Sequence, residues 1–78
     1  MKDTLSYLVR ALVDNPESVQ IDETEDDGVV NLTITVAKDD MGRVIGKEGK
    51  VIRSIRNIMK VKAIKENKRI SVSLAENQ

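Results

Sequence analysis

Val44-Ile45-Gly46-Lys47-Glu48-Gly49-Lys50-Val51-Ile52 decides the reading of this 78-residue chain. Two glycines bracket a two-residue turn, and an aliphatic pair flanks the turn on each side. Glycine tolerates backbone angles that other residues resist, and its bare Cα lets another backbone approach closely. The turn opens onto the N-terminus of a helix, where unpaired N–H groups and the helix dipole attract phosphate. Arg43, Lys47, Lys50, Arg53 and Arg56 crowd the same place. A plain helix–helix turn with solvated surface cations is the simpler alternative, and the surrounding chain has to separate the two.

Upstream of the turn, Asp39-Asp40 can cap a short helix over Met41–Ile45. Downstream, a longer helix runs over 50–65, with Val51, Ile52, Ile55, Ile58, Met59 and Ala63 on one broad face and Asn67 placed to close it in a left-handed cap. At the start of the chain Leu5, Leu8, Val9 and Leu12 recur at helical spacing over 4–14. Asp3 or Thr4 can cap that helix, and Asn15-Pro16 stops it. Tyr7 falls on the far side of its stripe. Val19 and Ile21 alternate with Gln20 and Asp22, and Val30, Leu32, Ile34 and Val36 alternate with Asn31, Thr33 and Thr35. These are two strands joined by Asp-Gly turn chemistry. A last strand spans 69–75 with Ile70, Val72 and Leu74 facing inward, and Glu76-Asn77-Gln78 is a tail.

The expected order is α-β-β-α-α-β, an α+β domain over residues 1–78 in which three helices cover one face of a three-stranded sheet. Ten Val, eight Ile and five Leu supply one modest core. A domain this short has little stability to spare, so its core must pack well or gain from a partner.

Composition removes most function classes. Cysteine and histidine are both absent, which excludes disulfides, thiolate metal sites and the commonest general base. The acidic run from Asp22 to Asp27 lacks the ligand offsets of a Ca²⁺ loop and reads as a solvated hairpin tip. An enzyme would need a carboxylate or lysine mechanism, and these carboxylates do not gather at the glycine turn. No metal or cofactor is implied. Tyr7 is the single aromatic residue, so rows of stacked bases are excluded. Neither an apolar signal segment nor a membrane-length apolar run occurs, which points to a soluble, cytoplasmic protein.

Net charge is zero, yet residues 1–40 carry a balance of −7 and residues 41–78 one of +7. Such asymmetry suggests a polyanion-binding second half. Mutual neutralisation of the two halves is the alternative. The cations concentrate on the glycine turn, which favours the polyanion.

Three phosphate-binding loops compete for that turn. A P-loop needs four residues between its glycines, but Gly42 and Gly46 have three, and Glu48 stands where a hydroxyl would be. A dinucleotide fingerprint needs Gly at position 44, which is Val44. The third is the Gly-x-x-Gly loop of the KH domain, which clamps about four backbone nucleotides.

Ile45-Gly46-Lys47-Glu48-Gly49-Lys50-Val51-Ile52 resembles the Ile-Gly-x-x-Gly-x-x-Ile core of that family. The element order is similar to the type II, prokaryotic KH arrangement over essentially the whole chain. Leu12-Val13-Asp14-Asn15-Pro16, Asp40-Met41-Gly42-Arg43-Val44-Ile45-Gly46 and Lys65-Glu66-Asn67-Lys68-Arg69 resemble the small single-KH bacterial proteins of the KhpA family. The resemblance implies single-stranded RNA binding without catalysis, a homodimer, and pairing with a larger Jag-type protein (KhpB, also called EloR). It further implies an RNA chaperone or post-transcriptional role tied to bacterial cell elongation and shape. Carried over, Gly46, Lys47, Glu48 and Gly49 clamp the backbone, Ile45 and Ile52 floor the groove while also serving as core residues, and Arg43, Lys50 and Arg53 flank it. Glu48 places a negative charge inside the loop, which predicts weak binding.

On the long helix, at about 100° per residue, Val61 lies almost opposite the core stripe and Ile64 further round. Together they form a candidate dimer contact, the alternative being a helix that ends before them. An interaction module that pairs with a Jag-type partner and binds negligible RNA is the competing function.

Overall fold

The computed structural model describes residues 1–75, and the expected tail over 76–78 lies outside them. Helix α1 (Lys2–Arg10) leads into strands β1 (Gln20–Asp26) and β2 (Val29–Thr35), then helices α2 (Met41–Ile45) and α3 (Lys50–Lys65), and strand β3 (Arg69–Leu74). The α-β-β-α-α-β order and the α+β class are as expected. Three-residue 3₁₀ turns at Pro16–Ser18, Lys38–Asp40 and Lys47–Gly49 join the elements.

Strand β2 is central, pairing antiparallel with β1 and parallel with β3. The β1–β2 connection is the two-residue Asp27-Gly28 turn, both residues at positive φ (55° and 80°), as a tight hairpin of this handedness demands. The hairpin tip is thus only two residues long. Most of the acidic run belongs to β1, with the side chains from Asp22 to Asp26 exposed.

All three helices lie on the apolar face. α1 packs on β1, α3 packs on β3, and α1 and α2 both touch α3. Leu5 and Val9 from α1, Leu32 and Ile34 from β2, Val44 from α2 and Met59 from α3 are fully enclosed at its centre. Each such side chain contributes roughly 1.5–3 kcal/mol on leaving water. The outer face carries Asn31, Thr33, Thr35, Ser71 and Ser73, alternating with the buried positions. Tyr7 is 75% exposed on the outside of α1.

Four local expectations are corrected. Helix α1 runs over 2–10 rather than 4–14, with Met1 at its N-cap position and no side-chain cap from Asp3 or Thr4. It stops early because the backbone N–H groups of Asp14 and Asn15 are taken by the Asp40 carboxylate. Leu12 is therefore left 39% exposed. Asp40 occupies the N-cap position of α2 without capping it; its side chain points back to the loop after α1 instead. Ile58 is 49% exposed. It lies about 60° beyond Ile55 around the helix axis, past the edge of the buried stripe of Ile52, Ile55, Met59 and Ala63. The final strand ends at Leu74 rather than residue 75.

Candidate nucleic-acid interface

Gly46 ends α2 at φ 75°, ψ 173°, a region essentially confined to glycine. A Cβ there would also lie within 2.7–2.8 Å of the Val51 Cβ and backbone N. Helix α3 therefore starts against the bare Cα of Gly46, and no other residue fits. Gly49 is left-handed (φ 74°) with open space around it, so conformation alone selects glycine there. Between them Glu48 adopts φ 57°, ψ 25°, an unfavourable left-handed state for a residue with a Cβ. The chain thus turns sharply and delivers the first N–H groups of α3 to the loop.

Lys47 and Glu48 are both exposed on this loop. Arg53, one turn into α3, reaches back so that its Nη2 donates to the Glu48 carbonyl at 3.5 Å. Arg53, Arg56 and Lys60 follow at i, i+3 and i+7, one flank of the helix. That flank faces β3 across a cleft of about 650 Å³. Arg56 and Lys60 line it from α3; Ile70, Ser71 and Val72 line it from β3. Lys68 and Arg69 sit at its far end. A row of cations thus runs from the glycine loop along the cleft to the start of β3.

The acidic residues are elsewhere. β1 is the opposite edge of the sheet, with β2 between it and β3. Of the second-half cations only Arg43 pairs with first-half carboxylates among the described residues, at 2.9 Å to Asp14 and 3.6 Å to Asp40. The charge halves are separated across the sheet rather than neutralising each other pairwise.

The residues expected at the site do not all gather in one place. Gly46, Lys47, Glu48, Gly49 and Arg53 come together at the loop, with Arg53 one turn before the cleft-lining Arg56. Lys50 is exposed at the first turn of α3, about 60° around the axis from Arg53. Arg43 is held in its ion pairs, and Ile52 is a core residue only 8% exposed, so little of it can meet a base. Ile45, 37% exposed beside the loop, has the surface that Ile52 lacks. Lys60, Lys68, Arg69, Ile70 and Val72 were not among the expected site residues, and Arg56 was read only as one of the cations near the turn. Their signal was present for α3, as the i+3 and i+7 continuation of Arg53. For β3 there was none, because periodicity does not show which strand lies beside which helix flank.

Comparison with known proteins agrees with the architecture. Residues 2–74 match the family model described as KhpA/KhpB, KH domain. The chain belongs to the KhpA/KhpB KH-domain family. Curated relatives named RNA-binding protein KhpA include one from Clostridium acetobutylicum, 42% identical over 95% of this chain and 99% of the relative. Another, from Chlamydia caviae, is 40% identical over the full length of both. Among solved structures, Era in complex with MgGDPNP and nucleotides 1506–1542 of 16S ribosomal RNA is similar in fold, with a TM-score of 0.69 at 16% identity. That likeness covers 94% of this chain but only 28% of the Era chain, so this KhpA/KhpB-family chain spans little more than a quarter of that protein. No helix among the described residues is long and apolar enough to cross a membrane.

Proposed function

We propose that this chain binds single-stranded RNA and catalyses no reaction. The observation that carries the proposal is the unbroken cationic row from Lys47 through Arg53, Arg56 and Lys60 to Arg69, joined to a glycine loop that presents helix N–H groups. Phosphates sit at Gly46–Gly49 and beside Arg53, Lys60 and Arg69, while bases enter the cleft between α3 and β3 that Arg56 lines. The names of the curated KhpA relatives support the same substrate class. One small cleft without aromatic stacking gives weak binding, and Glu48 weakens it further.

The protein works as a homodimer through α3. Ile58, Val61 and Ile64 are 49%, 55% and 63% exposed and form one aliphatic strip spanning roughly 120° of the helix surface. Val61 lies at the middle of that strip. Ile64 is both a strip residue and part of the cleft rim, so two copies paired there set their clefts side by side, and both can engage one RNA with a gain in avidity. The same strip suits a Jag-type KH partner (KhpB/EloR). An RNA chaperone or regulatory role in bacterial cell elongation, in the cytoplasm, is the physiological setting that the family resemblance supports.

Salt dependence tests the RNA reading. Each neutralised phosphate on a single strand lowers the slope of log affinity against log salt by about 0.7, and four or more contacts predict a slope of about −3. A slope near zero would leave only an interaction module built on the α3 strip.

A further inference from the structure

Arg56 is the only side chain that crosses the cleft from α3 to β3 by a hydrogen bond among the described residues. Its Nε donates to the Val72 carbonyl at 3.0 Å. That carbonyl lies on the open edge of β3, because β2 occupies the other edge. No carboxylate pairs with Arg56 among the described residues. Of its five N–H donors one is spent on Val72, so both Nη amino groups remain for an occupant of the cleft that Arg56 lines. The bond to the backbone also orients the guanidinium plane, which makes a fork of two parallel donors out of a flexible side chain.

Such a fork discriminates among bases. It matches two acceptors lying side by side on one base edge. Guanine offers that pair at O6 and N7, and cytosine offers it at O2 and N3. Adenine places its N6 amine beside N7 and beside N1, so each of those edges meets the fork with a donor. Uracil separates its two carbonyl oxygens with an N3–H. The Val72 carbonyl, already accepting from Nε, is also a poorer partner for an adenine amine.

We propose that Arg56 is the specificity-determining residue of the cleft, selecting guanine or cytosine over adenine and uracil at the position it faces. This rests on the RNA-binding reading above. Lys60, Lys68 and Arg69, also at the cleft, supply charge there. Arg56 differs in being fixed to the sheet edge.

The test measures binding of four fluorescently labelled eight-nucleotide RNAs at low salt: oligo(GA) against oligo(A), and oligo(C) against oligo(U). Wild type should prefer oligo(GA) in the guanine case, or oligo(C) in the cytosine case, by about five- to 150-fold, the range of one bidentate base contact. The pair that shows the preference identifies the base. Arg56→Lys keeps the charge and removes the fork, so it should bind all four RNAs alike while keeping the wild-type circular dichroism, a loss of base preference that a structural role alone would not produce. Should Arg56→Lys fail to fold by circular dichroism, Arg56→Gln retains an amide donor for Val72 and should likewise lose the preference. Equal binding of all four RNAs by wild type, or a preference that survives in a folded variant, overturns the inference while leaving RNA binding intact. Absence of binding to all four overturns the RNA reading as well.

Discussion

Asn15 gives both its backbone N–H and its side-chain amide to Oδ2 of Asp40, at 3.0 and 3.3 Å, 25 residues away in sequence. Oδ1 of the same carboxylate accepts the Asp14 N–H at 3.0 Å. Asp40 is only 1% exposed, the one buried charged residue among those described. A buried carboxylate is tolerable only when its oxygens are satisfied, and three N–H donors plus the nearby Arg43 do this. The latch fastens the loop after α1 to the start of α2, and so holds the short helix that ends at Gly46.

Replacing Asp40 by Ala should lower the melting temperature by several degrees, because two loop N–H groups lose their acceptor. The carboxyl is held below its ordinary value of 3.8, chiefly by the Asp14 N–H, with burial opposing and the Asn15 and Arg43 contacts adding to the fall. A depressed native pKa means the unfolded chain binds this proton more readily. The contribution is therefore fully present above about pH 5, and is lost as pH falls below 3.8 through the native value. Thermal melts of wild type and Asp40→Asn between pH 3 and 7 should converge at the acid end. A constant gap between the two curves would show that the Asp40 charge is not what holds the loop.

This latch also shows what the sequence could reveal. Leu12 through Pro16 and Asp40 through Gly46 were each recognisable as family-like stretches, but periodicity has no means of showing that one binds the other. Asp40 instead resembled a helix cap, since Asp before an apolar run usually is one. The sheet, the Asp27-Gly28 turn, the span of α3 and the left-handed Asn67 were legible because each follows from local spacing and turn chemistry. The glycine loop was legible for the same reason. The β3 wall of the cleft was not, because it depends on which helix flank the strand settles beside.

Glu48 combines a left-handed backbone with a negative charge in a phosphate-binding loop. Glu48→Asn relieves both, since Asn visits that conformation readily. Chemical denaturation should show a gain of up to about 1 kcal/mol, and RNA affinity at low salt should rise several-fold. Greater stability with unchanged RNA affinity would separate the loop from phosphate.

Val61→Asp places a charge at the middle of the exposed α3 strip without touching the core. Light scattering should show the wild-type dimer reduced to monomer, and circular dichroism should be unchanged. RNA binding should weaken through lost avidity while single-site contacts remain. An unchanged oligomer mass would contradict dimerisation through this face.

Contact between the Gly46–Gly49 loop and RNA backbone can be measured directly. The most direct measurement compares a labelled single-stranded RNA pool binding to wild type and to the double variant Lys47→Asp/Glu48→Asp, at two salt concentrations. Both glycines are retained and Asp tolerates the left-handed position of Glu48, so the variant should fold. Wild type should bind in a salt-sensitive way, and binding should fall at least about ten-fold in the variant, consistent with replacing a phosphate-facing cation by an anion. Equal binding by two folded proteins would contradict contact at the loop.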